Sequence, residues 1–154
     1  MPAFLRFNAP VQHMNFIYFG GITRIRPPIL SILQTDGSFQ QRTKSGKAGA
    51  LLMRPDHTFS SHVEPLHGVV SSTEAEWASI HLGMSVAAQT HQPAIGVEND
   101  CLGVISHIAL NSPPGRHEYA RYYHHKIREL SRQFEWCGIR WIPWEQNRAD
   151  KLLR

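Results

Sequence analysis

Four carboxylates, Asp36, Glu76, Asp100 and Asp150, stand where each could turn toward a common site. Glu76 is the most telling, because its neighbour Glu74 serves as a control. In SSTEAEWASI (71–80) both glutamates fall at the head of a segment with helical period. On a wheel advancing about 100° per residue, Ile80, Gly83, Met84 and Ala87 gather around the direction of Glu76. Ala75, Leu82 and Val86 widen that apolar face on one side and Trp77 on the other. Glu74 points about 160° away, beside His81 and Ser85. Glu74 therefore belongs to the wet face, and Glu76 lies inside the apolar stripe. A carboxylate in that position must protonate or find a partner. Backbone donors at the helix start are the simpler partner. Other carboxylates gathered around a cation are the more consequential one.

Three acids are candidates for such a gathering. Asp36 follows the first apolar strand at TDGS, Asp100 follows a short apolar strand at ENDC, and Asp150 opens the last helical segment at NRAD. Asp-Gly turns and Asp helix caps are common, so each alone reads as structural. Jointly, acids at two strand ends and two helix starts can converge at one edge of a sheet. Gathered carboxylates repel unless divalent cations neutralise them, and Mg²⁺ prefers such hard oxygen ligands. Two ions about 4 Å apart form a recurrent clamp for phosphodiester hydrolysis.

The elements that must position these acids follow from periodicity and breakers. Residues 1–28 read as an irregular arm ending in TRIRPP, of unassigned role, and 29–154 as one domain. Strands are expected at 29–39, with Asp36-Gly37 as a turn dipeptide, at 48–53, and at 58–64 ending before Pro65. The stretch 40–47 reads as a loop. A helix is expected from Ser72 to about Gln89, a strand at 94–97, helices at 99–110 and 117–134, a strand at 137–143, and one or two helical turns at the end. The expected fold class is α/β, a mixed five-stranded sheet flanked by helices, with three antiparallel strands followed by strands alternating with helices.

Composition narrows the function classes. The chain has 154 residues and 42% hydrophobic content, enough for one core. Its net charge of +4 permits a polyanionic partner without demanding one. Two cysteines, Cys101 and Cys137, exclude a disulfide scaffold and a Cys-rich zinc site, and suit a reducing, cytoplasmic location. The opening MPAFLRFNAPVQHMNFIYFGG has no apolar run of signal-peptide length, and no stretch is long enough to cross a bilayer. Neither a membrane nor an obligate protein partner is expected. HEYAR (117–121) begins like a zinc-protease motif but has Arg121 where the second His is needed.

In this setting TDGS (35–38), SGKAGALL (45–52), STEAEW (72–77), VENDCLGVI (97–105) and IPWEQNRADKLL (142–153) resemble, in order, the type 1 ribonuclease H family, closest to its archaeal-like and retroelement-like branches. The resemblance implies a ribonuclease H-like fold, with three antiparallel strands and then two parallel ones. It implies that Asp36, Glu76, Asp100 and Asp150 are catalytic metal ligands for two Mg²⁺ ions, with Mn²⁺ a possible substitute. Asp36 would bridge both ions. Asp150 would help hold the ion that activates water, and Glu76 and Asp100 the ion at the leaving oxygen. The implied activity is endonucleolytic cleavage of the RNA strand of an RNA/DNA hybrid, leaving 5′-phosphate and 3′-hydroxyl ends. Gly37, Ser38, Ser72, Thr73 and Asn147 would meet substrate.

The chain departs from the family pattern at several points. Ser72 and Thr73 replace an Asn pair, Cys101 replaces a serine, and Trp144 stands where Arg is usual. Asn147 precedes Asp150 by three residues rather than four, which leaves Gln146 as the other candidate for that Asn's place. A catalytic-loop histidine and a basic protrusion are missing. Arg42, Lys44 and Lys47 lie near the first acid and are candidate phosphate contacts. Two alternatives stand beside the enzyme: a ribonuclease H domain of a reverse transcriptase, and a non-catalytic hybrid-binding module of the same fold. The initial Met and the missing polymerase segment favour the first-named enzyme over the reverse transcriptase domain.

Overall fold

The computed structural model describes residues 15–112 and 114–154. Its centre is a six-stranded mixed sheet built from β1 (Ile17–Gly20), β2 (Ser31–Gln40), β3 (Ser45–Met53), β4 (Phe59–His67), β5 (Ala94–Asn99) and β6 (Trp136–Trp141). The spatial order is β1-β6-β5-β2-β3-β4. β2, β3 and β4 form an antiparallel meander, β5 lies parallel between β2 and β6, and β1 pairs antiparallel with β6. The meander and the two parallel strands are as expected.

The sixth strand is not, because residues 17–20 fall in the stretch read as an irregular arm. Tertiary packing makes this short segment a strand. Phe19 is buried in the main core, and Phe16, just before β1, packs on the opposite face with Trp136. Residues 1–14 of the arm lie outside the described residues.

Two other expectations fail locally. Asp36-Gly37 is not a turn but continues β2, paired opposite Gly49 and Ala48 of β3. The hairpin turns later, at 41–44, where Lys44 adopts φ 48°. Pro65 does not end the third expected strand, since β4 runs on to His67. β4 is the sheet edge, where a proline is tolerated within a strand.

Helices α1 (Ser72–Gln89), α2 (Leu102–Leu110) and α3 (Glu118–Ser131) complete the domain. Alternation along the strands sends Leu33, Ala50, Leu52, Ile95, Val97 and Ile139 to the face shared with Trp77, Ile80 and Met84 of α1, Ile105 and Ile108 of α2, and Ile127 of α3. Ile80 and Met84 are fully buried there, each contributing about 1.5–3 kcal/mol. The opposite face carries the Phe16 and Trp136 cluster and a terminal 3-10 helix (Arg148–Leu153) that packs on β2 and β3.

Helix α1 begins where its cap dictates. The Ser71 hydroxyl accepts from the Glu74 N–H at 3.1 Å, and Glu74 Oε1 accepts from the Val70 N–H at 2.8 Å. This is a reciprocal cap that satisfies donors at the helix start. Glu74 is thus the capping glutamate, which frees Glu76 for another task.

Candidate active site

Asp36 is carried by the centre of β2, beyond the point where its parallel neighbour β5 ends. The last paired residues are Gln34 and Glu98, and β5 stops at Asn99. Asp100 leaves the sheet there, so the two acids face each other across the end of a strand. Glu76 reaches them from the first turns of α1. A close approach makes this possible: a Cβ on Gly37 would lie 2.3 Å from the Ala75 carbonyl, so only glycine lets α1 descend onto β2. The Gly37 N–H then donates a short hydrogen bond to Glu76 Oε1. Gly37, expected to touch substrate, seats the helix and orients a carboxylate.

Carboxylate oxygens of Asp36, Glu76 and Asp100 lie within 4.8 Å of one another. Asp36 and Glu76 are buried, at 8% and 7% exposure, and Asp100 is half-buried. The helical wheel thus chose correctly between the two glutamates. Burial, then repulsion from Asp36 and Asp100, pushes Glu76 up to about 9. Burial, then the charge of Asp100, raises Asp36 to about 7. Asp100 is raised by burial, opposed by its hydrogen bond to Asn147. A hydrogen bond between the Asp36 and Glu76 carboxyls lowers the first and raises the second. Such a set offers only hard oxygen donors, held in a charge state that a divalent cation would relieve. It fits Mg²⁺ or Mn²⁺.

Asp150 stands apart. It sits on the terminal 3-10 helix, outside the set of oxygens within 4.8 Å, and its Oδ2 pairs with Arg154 Nη2 at 2.7 Å. Its charge still reaches Asp36 and Asp100, raising both. Three of the four expected acids are brought together, and the fourth lies beside them.

Two asparagines lock this arrangement. Asn99 Nδ2 donates to the carbonyl and hydroxyl of Thr35, both at 3.0 Å, while its Oδ1 accepts from the Cys101 N–H at 2.7 Å. Asn147 Nδ2 donates to the same Thr35 carbonyl at 2.9 Å and to Asp100 Oδ2 at 3.4 Å. Its Oδ1 caps the terminal helix at the Ala149 N–H. Asn147 was expected to meet substrate. It is 3% exposed, and both ends of its carboxamide are engaged within the chain. Asn99 and Thr35 escaped sequence reasoning, although an Asn directly before a candidate acid at a strand end is a legible signal.

A second network was also missed. Glu98 is buried on β5, accepting from Gln34 Nε2 at 2.9 Å and from Arg140 Nε at 2.8 Å, with a further short contact to Arg140 Nη2. Gln34 Oε1 in turn accepts from the Arg148 N–H at 2.9 Å, which anchors the terminal helix to β2.

The remaining expected contacts lie around the rim. Ser72 and Thr73 are exposed on the first turn of α1, one turn before Glu76. Ser38 pairs with Lys47 across β2 and β3, and both line a groove of about 420 Å³ with Phe39, Gln40 and Leu153. Arg42 and Lys44 are exposed in the adjoining turn. Cys101 precedes α2, and burial pushes its thiol up.

The family model described as reverse transcriptase-like matches residues 34–153. No curated protein matches the sequence significantly. Among solved structures, the N-terminal RNase H domain of Rv2228c from Mycobacterium tuberculosis, studied as a fusion with maltose-binding protein, superposes with a TM-score of 0.73. It is 19% identical, and the match covers 81% of this chain and 91% of that one. RNase H1 from the halophilic archaeon Halobacterium salinarum NRC-1 gives a TM-score of 0.70 at 18% identity, covering 80% of this chain and 92% of its own. At these identities the likeness speaks for the fold. The stretch matched by the family model includes every acid of the site, and the chain belongs to the reverse transcriptase-like family, with a ribonuclease H fold.

Proposed function

We propose that this protein is a metal-dependent ribonuclease H that cuts the RNA strand of RNA/DNA hybrids, leaving 5′-phosphate and 3′-hydroxyl ends. The observation that carries the reading is the convergence of Asp36, Glu76 and Asp100 where β5 ends beside β2. In this reading those three acids hold divalent cations, Mg²⁺ or Mn²⁺, and Asp150 from the terminal helix completes the set. When bound, two such ions supply charge neutralisation at the phosphodiester and an activated water. The chain's own part is to hold the carboxylates at fixed separation, through Gly37, Asn99 and Asn147, and to keep one side of the cluster dry.

Substrate contacts follow from the rim. Ser72 and Thr73, on the exposed turn before Glu76, are placed to meet 2′-hydroxyls in the wide minor groove of a hybrid. Ser38 and Lys47 suit phosphate contacts beside Asp36. The free thiols Cys101 and Cys137 suit the reducing cytoplasm.

The test is cleavage of end-labelled RNA annealed to DNA in Mg²⁺, with single-stranded RNA and duplex DNA as controls. Cutting confined to the hybrid, and lost in Asp36→Asn, is the expected result. Hybrid binding without cleavage in Mg²⁺ or Mn²⁺ would refute it. A second reading, a non-catalytic hybrid-binding module, is favoured by the pairing of Asp150 with Arg154 away from the other acids. The description of the matching family also keeps open a role as the ribonuclease H domain of a reverse transcriptase.

A further inference from the structure

We propose that Arg154 is a positioning residue that competes with a metal ion for Asp150, holding the fourth carboxylate off the other three until a divalent cation displaces it. The inference rests on the metal-binding reading above. Its basis is geometric. Asp36, Glu76 and Asp100 present oxygens within 4.8 Å of one another, and Asp150 is excluded from that set while its Oδ2 sits 2.7 Å from Arg154 Nη2. The two side chains are four residues apart, at the end of one short helix.

The backbone beneath Asp150 is fixed on all sides. The Asp150 N–H donates to the Asn147 carbonyl at 3.2 Å, Asn147 is tied to Thr35 and Asp100, and the Arg148 N–H is tied to Gln34. Leu153 packs where Gly49 leaves room on β3. These ties hold the helix against β2 and β3 and leave the Asp150 side chain as the part free to turn. Its side chain is 32% exposed and that of Arg154 68%, so packing locks neither. Exchange of partners requires only side-chain rotation, with a divalent ion replacing a guanidinium as the neutralising charge. Arg154 thus holds Asp150 beside the cluster with its carboxylate paired to a guanidinium.

An exposed pair of this kind is weak, so the competition is modest: removing Arg154 should tighten the weaker metal site about two- to fivefold. The measurement is calorimetric titration of Mn²⁺ into the full chain and its Arg154→Gln, Arg154→Lys, Asp150→Asn and Arg154→Gln/Asp150→Asn variants, with thermal melts to verify folding. The expected result is tightening in Arg154→Gln, wild-type affinity in Arg154→Lys, and no difference between Asp150→Asn and the double variant. Unchanged affinity in Arg154→Gln overturns the inference. Equal tightening in the Asp150→Asn background also overturns it, since a general field effect then suffices. Mn²⁺ binding that survives Asp36→Asn, or its absence in the wild type, overturns the metal-site reading itself.

Discussion

Glu76→Gln isolates the electrostatic strain of the acid cluster. Glutamine keeps the acceptor for the Gly37 N–H and nearly the same volume, and it removes the charge. Burial and the neighbouring acids raise the folded-state pKa of Glu76 from 4.5 to about 9. The folded chain therefore holds a proton that the unfolded chain releases, and metal-free stability falls as pH rises from about 4.5 toward 9. Between pH 4.5 and 7.5 this amounts to about 4 kcal/mol at most, at about 1.4 kcal/mol per pH unit. Glu76→Gln lacks this term. In chelator it should match the wild type near pH 4.5 and melt higher at pH 7.5, by about 5–10 °C if half or more of that energy is realised. Saturating Mg²⁺ or Mn²⁺ should reverse the order, because the wild type gains binding energy that the variant cannot. Thermal melts by circular dichroism at both pH values, with and without metal, measure all four terms. A wild-type-to-variant difference that stays constant across pH in chelator would refute the reasoning.

Other perturbations test the scaffold and the site separately. Gly37→Ala forces a methyl into the Ala75 carbonyl and should destabilise by about 1–3 kcal/mol or more, read from urea unfolding. Asn99→Ala removes three hydrogen bonds at the strand end and should cost about 2 kcal/mol, with cleavage falling more than hybrid binding. Arg140→Met leaves Glu98 buried without its ion-pair partner and should destabilise by about 3–5 kcal/mol, whereas Glu98→Gln combined with Arg140→Met should recover much of it in a double-mutant cycle. Lys47→Gln should weaken hybrid binding and flatten its salt dependence by about one ion, with cleavage at saturation unchanged.

Features that rest on local chemistry are legible before folding. The span of α1 and the inward direction of Glu76 follow from a 3.6-residue period and a Ser71 cap, which need no distant partner. The antiparallel meander followed from three short strands with tight connections, and Asp36 and Asp100 were picked out because acids beside apolar strands are conspicuous. Tertiary structure decided the rest. Residues 17–20 are a strand only because Phe16 and Phe19 find opposite faces of the sheet and β6 offers an open edge. Asp36-Gly37 reads as a turn in isolation. It is extended because β3 pairs along it and α1 comes within a missing Cβ of Gly37. Asn147 reads as a substrate contact, and only the folded chain shows its carboxamide consumed by Thr35, Asp100 and Ala149. The partner of Asp150 is likewise invisible to residue type, since only the folded chain shows its carboxylate paired with Arg154. Periodicity fixes which way a side chain points along its own element; which atoms it meets depends on contacts between residues far apart in the chain.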